Sequence, residues 1–192
     1  MSVPDPSPDS GRLRRLDVQQ LPAYRDRLFR AAYALCGSRE DAEDLVQETY
    51  STVLKRTRFV RRRDDLAYLT QVLRNTWIDM YRTRSRRPQT VPFDESVDFV
   101  IDPSADPGLT AIELRTIYAE IHQLSPVLRD TLIAVDVIGL SYRQAALALD
   151  TAEGTIMSRL YRAREQVAQR LEGTPDTSEP PIEGAARPGA GA

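Results

Sequence analysis

Cysteine, histidine, lysine and tryptophan each occur once in this chain, as Cys36, His122, Lys55 and Trp77. One cysteine excludes an intrachain disulfide and any cysteine-built zinc site, and its neighbours Ala32 and Leu35 suit a buried, inert thiol. One histidine leaves imidazole catalysis or a histidine metal site without partners, so His122 is expected to be structural and no cofactor is expected. No apolar run approaches the roughly 20 residues of a membrane helix. The opening MSVPDPSPDSG has neither the basic start nor the apolar centre of a secretion signal. The chain is therefore expected in the cytoplasm, without membrane insertion.

With one lysine, almost all positive charge is arginine, and it is strongly segregated. Residues 51–87 hold eleven bases against three acids, an excess of +8 that leaves −10 on the remainder of a chain whose net charge is −2. A local excess of that size is an electrostatic footprint for nucleic acid even in an acidic protein. Residues 88–110 reverse the pattern, with five acids, no base and repeated prolines, and read as an extended acidic linker. Residues 1–12 and 173–192, rich in Pro, Ser, Gly and Ala, read as disordered ends. What remains is helical in periodicity, which predicts an all-α fold of two small helical domains, residues 13–88 and 111–172, joined by the linker at 89–110.

The stretch SYRQAALALDTAEGTIMSRLYRAR (141–164) reads as two short helices around a tight turn. Ser141 and Gln144 form a capping box, with Leu140 and Ala145 as its hydrophobic staple. Asp150 falls where a left-handed residue is needed, and Thr151 can cap the second helix. In that helix Ile156, Leu160, Ala163 and Val167 share one face, while Thr155, Ser158, Arg159 and Arg162 share another. Hydroxyls and guanidinium groups outside an apolar stripe suit a helix that reads the major groove. A plain helical hairpin with a solvated basic face fits the same spacing.

Upstream, Leu21, Tyr24, Leu28, Ala31, Ala32 and Leu35 mark one helix, ended by Gly37. Ser38 caps a second, to about residue 56, that buries Ala42, Leu45, Val46 and Val53. Its acids favour the helix N-terminus, although Asp44, Gln47 and Glu48 lie far enough in to suit a docking face. In the loop at 57–65, Phe59 stands among arginines, where it either stacks on an unpaired base or tucks into the core. A third helix, about 65–84, carries Leu66, Leu69, Leu73, Trp77 and Met80 on one stripe, which makes Trp77 a core residue. Helices at 109–123 (Ile112, Ile117, Ile121, Leu124) and from Ser125-Pro126 to Gly139 (Leu128, Leu132, Val135, Ile138) complete the second domain.

Four blocks in order, DAEDLVQETY (41–50), LRNTWIDMYRTRSRRP (73–88), LSPVLRDTL (124–132) and GLSYRQAALALDTAEGTIMSRLYRAR (139–164), resemble the sigma-70 family of bacterial RNA polymerase sigma factors. The resemblance is to the extracytoplasmic-function (ECF) class, which keeps only regions 2 and 4. It implies a non-catalytic specificity subunit that binds core RNA polymerase and directs initiation from minus-ten and minus-thirty-five promoter elements. Asp41, Asp44, Gln47 and Glu48 then match the surface that docks on the β′ clamp helices. Phe59, Arg61, Arg62, Arg74, Asn75, Arg82 and Arg86 match the minus-ten reader, with Phe59 in the loop that holds a flipped base. Arg143, Thr155, Ser158, Arg159, Tyr161 and Arg162 match the minus-thirty-five reader. An anti-sigma partner is implied by family habit. Met157, where the family commonly has Lys or Arg, removes one expected DNA contact, and Asp150 stands at a frequent glycine. Two other functions fit parts of the chain: a regulator binding duplex DNA through the hairpin alone, and a nuclease or phosphohydrolase holding Mg²⁺ on Asp41, Asp44 and Glu48.

Overall fold

The computed structural model describes residues 13–55, 59–61, 64–85 and 111–173. Its centre is helix α1 (Arg25–Cys36), in which Leu28 and all of residues 31–35 are buried. Five buried residues in a row exceed one turn, so this end of the helix is covered on every side. Ala31, Ala32 and Ala34 keep it slim enough for neighbours to approach. A 3-10 segment, Val18–Tyr24, leads into it, with the Asp17 carboxylate accepting from the Gln19 N–H at 3.0 Å. Gly37, at φ 74°, stops it and donates its N–H to the Tyr33 carbonyl at 2.8 Å.

Helix α2 (Arg39–Leu54) starts at Ser38, whose Oγ accepts from the Asp41 N–H, and buries the predicted Ala42, Leu45, Val46 and Val53. Helix α3 (Asp65–Ser85) buries Leu66, Leu69 and Leu73 but leaves Trp77 and Met80 half-buried, as the helix runs outward beyond its neighbours. An element absent from the sequence reading joins them. Strand β1 (Leu13–Arg15) pairs antiparallel with β2 (Phe59–Arg61), Arg14 opposite Val60. The Arg14 guanidinium also pairs with the Asp65 carboxylate, fastening this ribbon to the start of α3. Apart from the ribbon, the described elements are helical.

The second half is α4 (Ala111–His122), α5 (Pro126–Leu132), α6 (Tyr142–Ala148) and α7 (Glu153–Gly173). Helix α5 widens into one π turn, Ile133–Val137, before Gly139. Ile112, expected in the apolar stripe of α4, is 74% exposed, because the first turn of α4 lies beyond its packing partners. The capping box at Ser141 forms as predicted. The Gln144 N–H donates to Ser141 Oγ at 3.3 Å, and the Ser141 N–H donates to Gln144 Oε1 at 3.1 Å. Asp150 sits at φ 49°, and the following Thr151 N–H reaches back to the Ala146 carbonyl at 3.0 Å. That bond closes a Schellman turn around an aspartate where glycine is the usual occupant. Ile156, Leu160, Ala163 and Val167 are all buried.

The two halves do not keep separate cores. Helix α1 packs chiefly on α2, and also on α3, α4 and the π turn. Tyr33 of α1 meets Tyr118 of α4 edge to face, centroids 5.7 Å apart at 88°. One apolar cluster runs through both halves. His122 lies at this junction. Burial holds its pKa below the usual 6.5, the Arg129 charge pushes the same way, and hydrogen bonds to the Ala34 and Leu35 backbone oppose both. Cys36, expected to be buried, is half-exposed at the end of α1.

Asp150→Gly should stabilise the fold by about 0.5–1 kcal/mol by relieving the left-handed aspartate, and Asp150→Ala should destabilise it. Urea titrations of the two variants check the opposite signs. Because His122 has a lowered folded-state pKa, its contribution is complete above pH 6.5 and is lost as pH falls through the folded value. His122→Gln should therefore flatten the decline in stability on the acid side of pH 6.5, read from melting curves across that range.

Candidate nucleic-acid and partner interface

With its apolar side turned to α1, helix α2 sends its remaining side chains outward. Asp44, Gln47 and Glu48 are all exposed, and Asp41 is half-buried in the first turn. Arg39 Nε donates to Glu43 Oε1 at 3.0 Å, while the Lys55 ammonium stands 4.0 Å from Glu48. Both contacts are solvent-exposed and contribute little to stability. The predicted docking residues are thus brought together on one accessible anionic face. They lie along a single helix, and among the described residues no three His, Cys, Asp or Glu side chains converge in a metal-holding group.

Beside this face a groove of about 760 Å³ opens between α2 and α3. Glu48 and Thr52 line one wall, and Tyr68, Gln71, Asn75 and Asp79 the other, with Val72 and Met80 between. Asn75, predicted to face DNA, is exposed in this wall. Sequence reasoning missed Tyr68, Gln71 and Thr52 as its companions, because the groove depends on how two helices pair and not on one helix's periodicity. Arg82 is exposed two turns beyond Asn75 along α3. Phe59 and Arg61 stand on β2, opposite Arg15 and Leu13. Arg62 and Arg86 lie outside the described residues.

Arg74 points away from the groove. Its Nε donates to Asp130 Oδ2 of α5 at 2.5 Å. Arg143, in the first turn of α6, donates to Asp64 Oδ1 at 2.9 Å. In this conformation both predicted DNA contacts are engaged across the two halves of the molecule.

Helix α7 turns its other side to solvent. Ser158 and Arg162 are exposed, Thr155 and Arg159 half-exposed, and Tyr161 is 70% exposed. Met157, 52% exposed, adds an apolar surface where a cation is common. Ser158 Oγ donates to the Thr155 carbonyl at 3.0 Å, which settles one hydroxyl on its own helix. Two arginines hold α7 in place. Arg164 grips Asp136 through Nε and Nη2 at 2.9 and 2.7 Å, a hydrogen bond that raises its pKa above the ordinary value. Arg170 Nη1 donates to the Glu120 carbonyl of α4 at 3.4 Å. Sequence alone could not separate these anchoring arginines from Arg159 and Arg162, since all four lie on one helix.

The description "Sigma-70 region 2" fits residues 22–87, and "Sigma-70, region 4" fits residues 114–167. ECF RNA polymerase sigma factor SigE of Mycolicibacterium smegmatis is 32% identical over 77% of this chain, and the match spans 58% of that longer relative. ECF RNA polymerase sigma factor SigF of Caulobacter vibrioides is 36% identical over 71% of this chain and 74% of its own length. Among solved structures, the fold is similar to the sigma factor RpoE of Bartonella quintana in complex with the anti-sigma factor NepR (TM-score 0.62, 24% identity, 80% of this chain and 95% of that one). It is also similar to CnrH in complex with the cytosolic domain of CnrY (TM-score 0.58, 21% identity, 81% and 86%). Two family regions in their proper order, on a helical scaffold that presents both, lead to one conclusion: the chain belongs to the sigma-70 family of RNA polymerase sigma factors, in its extracytoplasmic-function class.

Proposed function

We propose that this chain is a dissociable specificity subunit that docks on core RNA polymerase and reads the minus-ten and minus-thirty-five elements of a promoter. The observation that carries the reading is the separation of surfaces. The anionic face of α2 adjoins the polar groove of α3, while the hydroxyl and arginine face of α7 belongs to the other half. On this reading Asp41, Asp44, Gln47 and Glu48 meet the β′ clamp helices. Asn75, Arg82 and Arg74 face minus-ten DNA, together with Phe59, Arg61, Arg62 and Arg86. Arg143, Thr155, Ser158, Arg159, Tyr161 and Arg162 face the minus-thirty-five element. Residues 13–88 and 111–172 act as two readers joined by the acidic segment 89–110. Linking two weak readers raises the local concentration of each for its half of the promoter, so neither needs many contacts.

Extruding a base costs a few kcal/mol, and stacking on an aromatic ring among cations offsets about 1–3 kcal/mol of it. Phe59 is the ring available for that role. The bound partners of the related folds suggest that an anti-sigma protein covers one or both surfaces in the resting cell, where the protein is expected in the cytoplasm.

Mixing the purified chain with core polymerase and mapping 5′ ends on a genomic template library should yield initiation at a restricted set of promoters. No promoter-specific start on any template would contradict the proposal. Reversing the docking charge in Glu48→Arg should weaken association with core polymerase about tenfold, roughly 1.4 kcal/mol, with melting temperature unchanged. Phe59→Ala should slow strand opening, followed by permanganate reactivity, while closed-complex affinity stays near wild type; equal losses in both steps would refute its assignment.

A further inference from the structure

The outward surface of α7 is divided lengthwise. At about 100° per residue, Thr155, Arg159 and Arg162 fall along one flank, and Glu153, Met157, Tyr161 and Arg164 along the other. Gly154 lies between them near the start of the helix, where an added Cβ would meet nothing within 4 Å, so another surface can come close to the backbone there. The first flank offers hydroxyl and guanidinium groups. The second offers no cation for phosphate. Its arginine, Arg164, is gripped by Asp136 through two hydrogen bonds at 2.9 and 2.7 Å, and Glu153, one turn before Met157, repels phosphate. Between these ends stand Met157, 52% exposed, and Tyr161, 70% exposed, four residues apart and therefore neighbours on the helix.

Such a flank is ill suited to the sugar–phosphate backbone. It suits the floor of the major groove, where thymine alone among the four bases presents a methyl group. We propose that Met157 is a specificity-determining residue whose side chain, with Tyr161 beside it, packs on a thymine methyl group in the minus-thirty-five element, while Thr155, Arg159 and Arg162 hold the other side of the groove. The inference rests on the promoter-reading role given above to α7, and it names the base feature that is read. Met157 opens the second turn of α7, near the end that meets base edges in helix-turn-helix proteins. Its unbranched thioether chain adapts to a small apolar target. A cation at this position would attract any phosphate, whereas the thioether rewards only a base that carries a methyl group. A protein occupant fits less well, because two side chains fall far short of the roughly 1,000 Å² that a specific protein interface buries, and the arginine flank is matched to a polyanion.

Deoxyuridine differs from thymidine only in lacking that methyl group, so it isolates the contact. The full chain is assembled with core polymerase on a promoter from which it initiates, each thymine of the minus-thirty-five half-site is replaced in turn by deoxyuridine, and affinity is measured by competition. At the thymine under Met157, wild type should lose about fourfold in affinity, the contribution of one buried methyl group. Met157→Ala should bind the two duplexes equally, and Met157→Leu, which keeps the apolar bulk, should again prefer thymine. Met157 lies outside the buried stripe of α7, so all three proteins should share one melting temperature. Indifference of wild type to every replacement would overturn the proposal, as would a half-site without an A·T pair. A fourfold loss that Met157→Ala leaves at full size would also overturn it, since another residue would then read the methyl group and Met157 would be left for a protein partner. Failure of the promoter-reading role itself looks different: wild type with core polymerase would initiate from no promoter, whichever base stood there.

Discussion

The burial of one short helix governs the rest of this molecule. Residues 31–35 of α1 are enclosed on every side, and four of the five are alanine or leucine, suited by size as much as by polarity. At roughly 25 cal/mol per Å² of apolar surface, covering such a helix favours any arrangement that closes over it. Helices α2 and α3 close over it from the first half, α4 and the π turn from the second. Once their apolar sides are committed to α1, the opposite sides of α2 and α3 face solvent. Helix α7 reaches the same outcome by packing on α4, α5 and α6. The anionic face, the polar groove and the arginine-bearing helix are consequences of where the apolar surface went.

The same constraint also acts on charge. A scaffold that draws both halves onto one helix also draws their charges together, and Arg74 and Arg143 meet Asp130 and Asp64 there. Residues suited to nucleic acid are equally suited to a carboxylate, because the guanidinium fork fits both.

Local features were legible in the sequence because their causes are local. The capping box of Ser141 and Gln144, the left-handed Asp150, the stop at Gly37 and the buried stripe from Ile156 to Val167 each depend on residues within a few turns. The exposed acids of α2 followed from the same periodicity. What escaped depends on distant pairing. Three-residue strands are too short to carry an alternating pattern, so Leu13–Arg15 finding Phe59–Arg61 left no mark. Ile112 and Trp77 fit their stripes and yet stand partly or wholly exposed, because a helix longer than its neighbours outruns its cover. Nothing in one sequence marks Arg74 and Arg143 as partners of carboxylates 56 and 79 residues away.

The central claim is that α1 joins both halves in a single cooperative unit. Trp77, the lone tryptophan, reports on α3 through its fluorescence, whereas far-ultraviolet circular dichroism is weighted by every helix, including α4 to α7. Followed together through one urea titration of the free chain, the two signals should change with the same midpoint and the same slope. A circular-dichroism transition that splits, with one part displaced from the Trp77 midpoint, would mean that the halves unfold independently and that α1 does not unite them.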